Sequence, residues 1–238
     1  MIKVAFHGHS CFCISCERYR VIIDPWLTGN PTANMTVEEV EGIDAVLVTH
    51  GHSDHLGDAV EIAKQCDATI IAPFELATYC GNQGAKVHPM HIGGAYQFEF
   101  GWVKLTQALH GSGLPNDDGT ITYLGNPCGF LIEMGDQVIY HAGDTGLFSD
   151  MGILSDTMLH GRKIDVMLVP IGDNFVMGPE DAFTAVRWVN PDIVVPMHYD
   201  TFPVIKQDAE KFKAQVEKEL DVECRVMKPG DDFDLDSK

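Results

Sequence analysis

Residues 44–58 read DAVLVTHGHSDHLGD, and the two halves of this stretch follow different rules. Ala45 to Val48 is an unbroken apolar run of the length of a buried strand. Immediately after it, THGHSDH at 49–55 places three imidazoles (His50, His52 and His55) and the Asp54 carboxylate within six residues. A neutral imidazole offers a lone pair and a carboxylate offers charge. Together they form a donor set that suits Zn²⁺ and its first-row neighbours. Beyond Gly57, the apolar residues Ala59, Ile62, Ala63 and Cys66 recur at helical spacing. Asp58 at the start and Lys64 near the end suit the helix dipole, so a helix is predicted here. The donors then fall on a strand-to-helix loop, where a site is both exposed and rigidly held.

One rhythm returns. Asp192 is followed six residues later by His198, as Asp44 is by His50, and both histidines end an apolar run. Two strands far apart in sequence thus each deliver an imidazole at the C-terminal end, the edge at which α/β sheets bind ligands. Further out, residues 2–7, 11–15 and 20–23 predict three short strands with no helix between them, an antiparallel start. Residues 26–37 read as a loop, 69–72 as a strand and 73–80 as a helix. Residues 96–100 and 102–108 alternate as strands do, and 111–119 (GSGLPNDDG) reads as a flexible loop. Residues 129–134 and 137–141 predict a hairpin about Gly135-Asp136. Buried strands at 165–171 and 192–197, helices at 179–189 and 209–220, a last strand at 223–227 and a frayed acidic tail at 231–236 complete the chain. No repeat or composition break marks a linker, so one α/β domain over residues 1–238 is expected.

Composition narrows the function. The formal charge is −19, and between Val21 and Gly161 the only cations are Lys64, Lys86 and Lys104. Nucleic-acid binding needs many Lys and Arg to neutralise phosphates, so it is disfavoured. No apolar run approaches the roughly 20 residues needed to span a bilayer, and no secretory leader is visible. Seven scattered cysteines suit reduced thiols and a cytoplasmic location. Cys11 and Cys13 alternate on one strand face and read as core; with Cys16 they lack the second CxxC that would complete a zinc ribbon.

The candidate donors at strand ends are His50, His52, Asp54, His55, His110, Asp144 and His198. Five imidazoles and two carboxylates exceed one tetrahedral ion and suit two. His50 and His52 can grip one, Asp54 and His55 a second, and Asp144, in its Gly-flanked turn, can bridge.

These residues resemble a known family. Thr49-His50-x-His52-x-Asp54-His55-x-Gly57 is similar to the HxHxDH signature of the metallo-β-lactamase superfamily. Asp24, His110, GDTG at 143–146 and His198 follow in that family's order, so the resemblance covers nearly the whole chain. GHSCF at 8–12, IDPWLTGNP at 23–31, HAGDTGLFSDM at 141–151 and MGPEDA at 177–182 resemble a group of bacterial and archaeal metal-dependent hydrolases close to the ascorbate-6-phosphate lactonases. The resemblance implies an αββα sandwich with the site along one edge. It assigns His50, His52 and His110 to one metal and Asp54, His55 and His198 to another, with Asp144 bridging and Asp24 hydrogen-bonding the ligands from outside. The familiar zinc β-lactamases carry Cys where Asp144 stands, which argues against β-lactams. The RNA-processing members carry basic recognition elements that this chain lacks.

The expected activity is hydrolysis of a small ester, lactone or phosphoester by a hydroxide that two divalent ions generate, with zinc favoured over manganese, nickel or iron. Asp54 would also hold the nucleophile in line. His9 and His141 lie inside matched motifs and are candidates for outer hydrogen bonds or substrate contact. Asn174, Tyr199 and Thr201 stand near motif ends as substrate-orienting candidates. His7, His88, His91 and His160 read as packing, surface or loop residues. Two alternatives remain. An iron-dependent redox enzyme is disfavoured because flavin-linked di-iron relatives carry Glu where His52 stands. A non-catalytic metal-binding scaffold or sensor would be expected to lose some of the seven donors. Association into homo-oligomers is expected from the resemblance.

Overall fold

The computed structural model describes residues 1–154 and 162–235; His160 lies outside them. Two seven-stranded sheets carry the fold. The first is built from β1 (Ile2–Gly8), β2 (Cys11–Ser15), β3 (Arg20–Ile23), β4 (Ala45–Leu47), β5 (Thr69–Pro73), β6 (Lys86–Met90) and β16 (Asp232–Leu235), in the order β16-β1-β2-β3-β4-β5-β6. Its first four strands in that order pair antiparallel, and β3 to β6 run parallel. The second contains β7 (Ala95–Phe98), β8 (Gly101–Gln107), β11 (Cys128–Met134), β12 (Gln137–His141), β13 (Val166–Pro170), β14 (Ile193–Met197) and β15 (Glu223–Cys224), in the order β15-β14-β13-β12-β11-β8-β7. It too changes from antiparallel to parallel, at β12. β4 and β14 both lie in the parallel half of their sheets, one and two strands past the change in direction, and each is followed by a histidine at its C-terminal end.

Alternation along the strands explains the layering. Phe6, Phe12, Ile14, Ile23 and Leu47 from one sheet meet Leu105, Phe130, Ile132, Leu168 and Val195 from the other in a single buried layer. The opposite face of the first sheet, with Ile22, Val46, Val48 and Ile70, is covered by Ile62 and Ala63 of α2 (Ala59–Cys66) and by Leu76 and Cys80 of α3 (Phe74–Asn82). The opposite face of the second, with Tyr140, Met167 and Val194, is covered by α4 (Pro179–Val189) and α5 (Ala209–Glu219). The parallel strands are apolar on both faces because both are covered. The result is an αββα sandwich. Among the described residues no helix is long and apolar enough to cross a membrane.

Four expectations need correction. Residues 231–235 are not a frayed tail, and Asp236 lies outside the described residues: β16 pairs with β1, from Ile2 opposite Leu235 to Ala5 opposite Asp232. Leu235 enters the core, and Lys3 holds Asp232 at 2.7 Å and Asp234 at 3.8 Å. Part of the 111–119 loop forms β9 (Gly113–Pro115), which pairs with β10 (Ile121–Tyr123). The β6 strand escapes the pattern because KVHPM contains a proline, which is tolerated at a sheet edge. The last strand covers only residues 223–224.

Asp54 and His55 lie on α1 (Ser53–Leu56), a single helical turn that ends at Gly57. Gly57 has φ +38°, and a Cβ there would lie 2.6 Å from both the Pro25 carbonyl oxygen and the Trp26 Cα. Asp58 completes this junction by accepting hydrogen bonds from the backbone N–H groups of Leu27 and Thr28. Gly57→Ala is therefore expected to cost about 1–3 kcal/mol. The check is a lowered urea midpoint at unchanged slope; an unchanged midpoint would mean that the junction yields without strain.

Candidate metal centre

The donors converge where β1, β4, β8, β12 and β14 end. His50 and His52 follow β4, His110 follows β8, Asp144 follows β12 and His198 follows β14. His50, His55, Asp144 and His198 are all buried. His198 adopts φ +54° and Asp24 φ +47°, left-handed conformations that turn the chain sharply at the strand ends.

Two groups of donors form. His52 Nδ1 lies 3.0 Å from His50 Nε2 and 3.2 Å from His110 Nε2. One ring nitrogen cannot serve both neighbours through a single proton. Two ligands on one tetrahedral ion with bonds of about 2.0 Å stand about 3.3 Å apart, so the spacing fits a shared cation. In the second group His9, Asp54, His55 and His198 each offer one ligand atom, all within 4.8 Å of one another. Asp144 lies between the groups. Its Oδ2 is 3.0 Å from His198 Nε2, 3.4 Å from His110 Nε2 and 3.9 Å from His50 Nε2, and its Oδ1 is 3.2 Å from His55 Nε2.

Hydrogen bonds on the far side of the rings fix which nitrogen is free. Asp24, fully buried, accepts from His55 Nδ1 at 2.8 Å, so His55 Nε2 turns inward. The Thr49 hydroxyl donates to Asp24 Oδ2 at 2.7 Å and therefore accepts from His50 Nδ1 at 2.9 Å, which leaves His50 Nε2 inward. Asp24 Oδ1 also accepts from the Thr49 backbone N–H at 2.8 Å. One carboxylate thus orients two rings, an arrangement common around metal ligands.

The electrostatics match such a centre. Burial, then the neighbouring imidazoles, hold His50 well below the ordinary imidazole value. Burial lowers His52 and His110 as well. Burial also works against a charged His55, but the Asp144 and Asp24 carboxylates outweigh it and raise that imidazole well above its usual range. Burial would raise Asp144; His198 and His55 hold it well below the usual carboxylate range instead. His9 is pushed down to about 4, by burial first and then by His198.

The remaining candidates separate. His141 is fully buried and committed at both nitrogens: Nε2 donates to the Ser10 carbonyl at 3.0 Å and Nδ1 accepts from the Gly143 N–H at 3.1 Å. It ties the β1–β2 turn to the Asp144 turn. Thr201 hydrogen-bonds His9. Tyr199 and Asn174 are not brought to the donors. Tyr199 packs towards the outer helical layer and lines a different cavity with Lys206 and Gln207. Asn174 is exposed, with its N–H bonded to Asp173. Cys11 and Cys13 share the outer, helix-covered face of the first sheet, while Cys16 packs on the inner layer. Burial raises the Cys11 thiol well above its usual value and pushes Cys13 up to about 12.

A cavity of about 390 Å³ opens over the donors. It is lined by His52, Asp54, His110, Asp144 and His198 together with Phe175, Phe202 and Val204. Sequence reasoning missed these apolar residues, which lie on loops and, for Val204, on the short 3-10 turn Pro203–Ile205, where no periodic signal exists. Among the described residues no lysine or arginine lines this cavity.

A family model described as the beta-lactamase superfamily domain matches residues 3–198. A metal-dependent hydrolase of Geobacillus sp. (strain WCH70) is 53% identical over 234 residues, covering 98% of this chain and 100% of the relative. A metal-dependent hydrolase of Bacillus cytotoxicus is 52% identical over 235 residues, at 98% and 100% coverage. Among solved structures, a metallo hydrolase from the hyperthermophilic archaeon Ignicoccus hospitalis superimposes with a TM-score of 0.86 at 33% identity, covering 99% of both chains.

Proposed function

The chain belongs to the metallo-β-lactamase superfamily, and we propose that this metal-dependent hydrolase uses two divalent transition-metal ions to cleave a small ester, lactone or phosphoester. The observation that carries the reading is the pair of donor groups with Asp144 between them. In this reading the unit is one domain over residues 1–238. His50, His52 and His110 hold one ion, Asp54, His55 and His198 hold the other, and Asp144 spans both. When bound, the ions would lower the pKa of a shared water toward neutrality and offset charge developing on the substrate oxygen.

The chain's own residues prepare that chemistry. Asp24 fixes the His55 ring directly and the His50 ring through Thr49, so little reorganisation is needed when the ions bind. Asp54, partly exposed in the cavity lining, can hold the attacking water in line. Phe175, Phe202 and Val204 seat an apolar part of the substrate and exclude water. The free thiols suit a reducing, cytoplasmic compartment.

Elemental analysis of freshly purified protein tests the reading, alongside assays on ester, lactone and phosphodiester panels before and after chelation. About two zinc, manganese or nickel ions per chain are expected, with turnover lost on chelation and restored by the metal. Iron would bring the redox reading forward. No metal, with none taken up on reconstitution, would overturn the assignment.

A further inference from the structure

We propose that His9 is a fourth protein ligand of the ion held by Asp54, His55 and His198. That ion would then have four donors of its own besides the shared Asp144, one more than the three-imidazole group. The inference rests on the two-ion reading and adds to it a ligand that lies outside the His-x-His-x-Asp-His signature.

His9 sits in the turn between β1 and β2, more than forty residues before that signature. Its φ of +56° is a conformation that costs a residue with a Cβ about 1–2 kcal/mol. Such strain persists where surrounding structure demands it, and it clusters at functional sites. The His9 carbonyl accepts from the His198 N–H at 2.9 Å, so the two turns are tied together. The rings follow, with centroids 4.1 Å apart.

The Thr201 hydroxyl lies 2.8 Å from His9 Nδ1 and engages it, which leaves Nε2 turned toward the donor group. That nitrogen is buried and has no hydrogen-bond partner. It faces Asp54 Oδ2 at 3.4 Å. Charge-assisted N–H···O bonds are shorter, about 2.7–2.9 Å. The 3.4 Å separation is longer than that and matches the roughly 3.3 Å between ligands on one tetrahedral ion. His55 Nε2, also buried without a hydrogen-bond partner, closes the same group.

A consequence is asymmetry. With Asp144 counted for both ions, the His9 group offers five protein donors, two of them carboxylates, against four for the three-imidazole group, and should load first.

The test is a Co²⁺ titration of the metal-free full-length protein. It is followed by absorbance and by the hyperfine-shifted, exchangeable imidazole N–H signals in proton NMR. The wild type should show two steps. His9→Ala should weaken the tighter step by at least about tenfold, lose one exchangeable signal and leave the other step in place. Thr201→Val should keep the tight step but alter the shift or exchange of that one signal. Should His9→Ala not fold, judged by circular dichroism, His9→Gln keeps a donor for Thr201 and must lose the same signal. Two bound ions with every signal and both steps retained in a folded His9 variant would overturn this proposal alone. A wild type that binds fewer than two ions would overturn the two-ion reading, and this one with it.

Discussion

Replacing Asp144 with alanine is expected to release both metal ions and lower turnover by at least about 10³-fold. Among the described residues Asp144 is the carboxylate that reaches both donor groups, with Oδ2 near His198 and His110 and Oδ1 near His55. It is buried, so its charge is screened little and counts heavily in holding two cations side by side. Without it, each ion loses a ligand and the repulsion between the ions loses its counter-charge. Loss of a mere outer hydrogen-bond partner typically costs 10–100-fold in metal affinity, so a shared ligand should cost more. Metal content and kcat would be measured on the same preparation, with circular dichroism to confirm folding. A folded Asp144→Ala protein that keeps two ions and full turnover would sink the bridging role.

Asp24→Ala should produce the second largest effect, and it acts without touching the cavity. This carboxylate accepts from the Thr49 backbone N–H, the Thr49 hydroxyl and His55 Nδ1, all within 2.8 Å. Alanine leaves those donors buried and unsatisfied, at about 1–3 kcal/mol each where nothing replaces the bond. It also frees the His55 ring and, through Thr49, the His50 ring. Metal affinity should fall about 10–100-fold, and thermal stability should drop even in the metal-free protein. Asp24→Asn keeps an acceptor at the same place and should recover part of both losses. An Asp24→Ala variant with unchanged metal affinity would show that the rings are held by packing alone.

Residues 44–58 disclosed much of this centre because the chemistry is local there. One strand end carries four of the seven expected donors, and the donors are of types rarely crowded together without a ligand. His110, Asp144 and His198 were legible as strand ends, because an alternating segment, a hairpin and an apolar run end at or just before them. The terminal strand was not. Asp232 to Leu235 alternates acidic and apolar residues, but its meaning depends on pairing with β1 at the far end of the chain. The small ribbon β9–β10 and the edge strand β6 were hidden for a related reason, since Gly and Pro mark loops unless tertiary pairing overrides them.

The sequence by itself determined the donor types, their order and the strands that carry them, because periodicity and spacing are properties of neighbouring residues. Only the tertiary structure decided which donors share a point in space. It brought His9 beside His198, turned Tyr199 and Asn174 away, fixed His141 between two turns, and set Phe175, Phe202 and Val204 over the centre. These facts depend on left-handed turns at strand ends and on contacts between segments more than a hundred residues apart. Neither leaves a periodic trace in the chain.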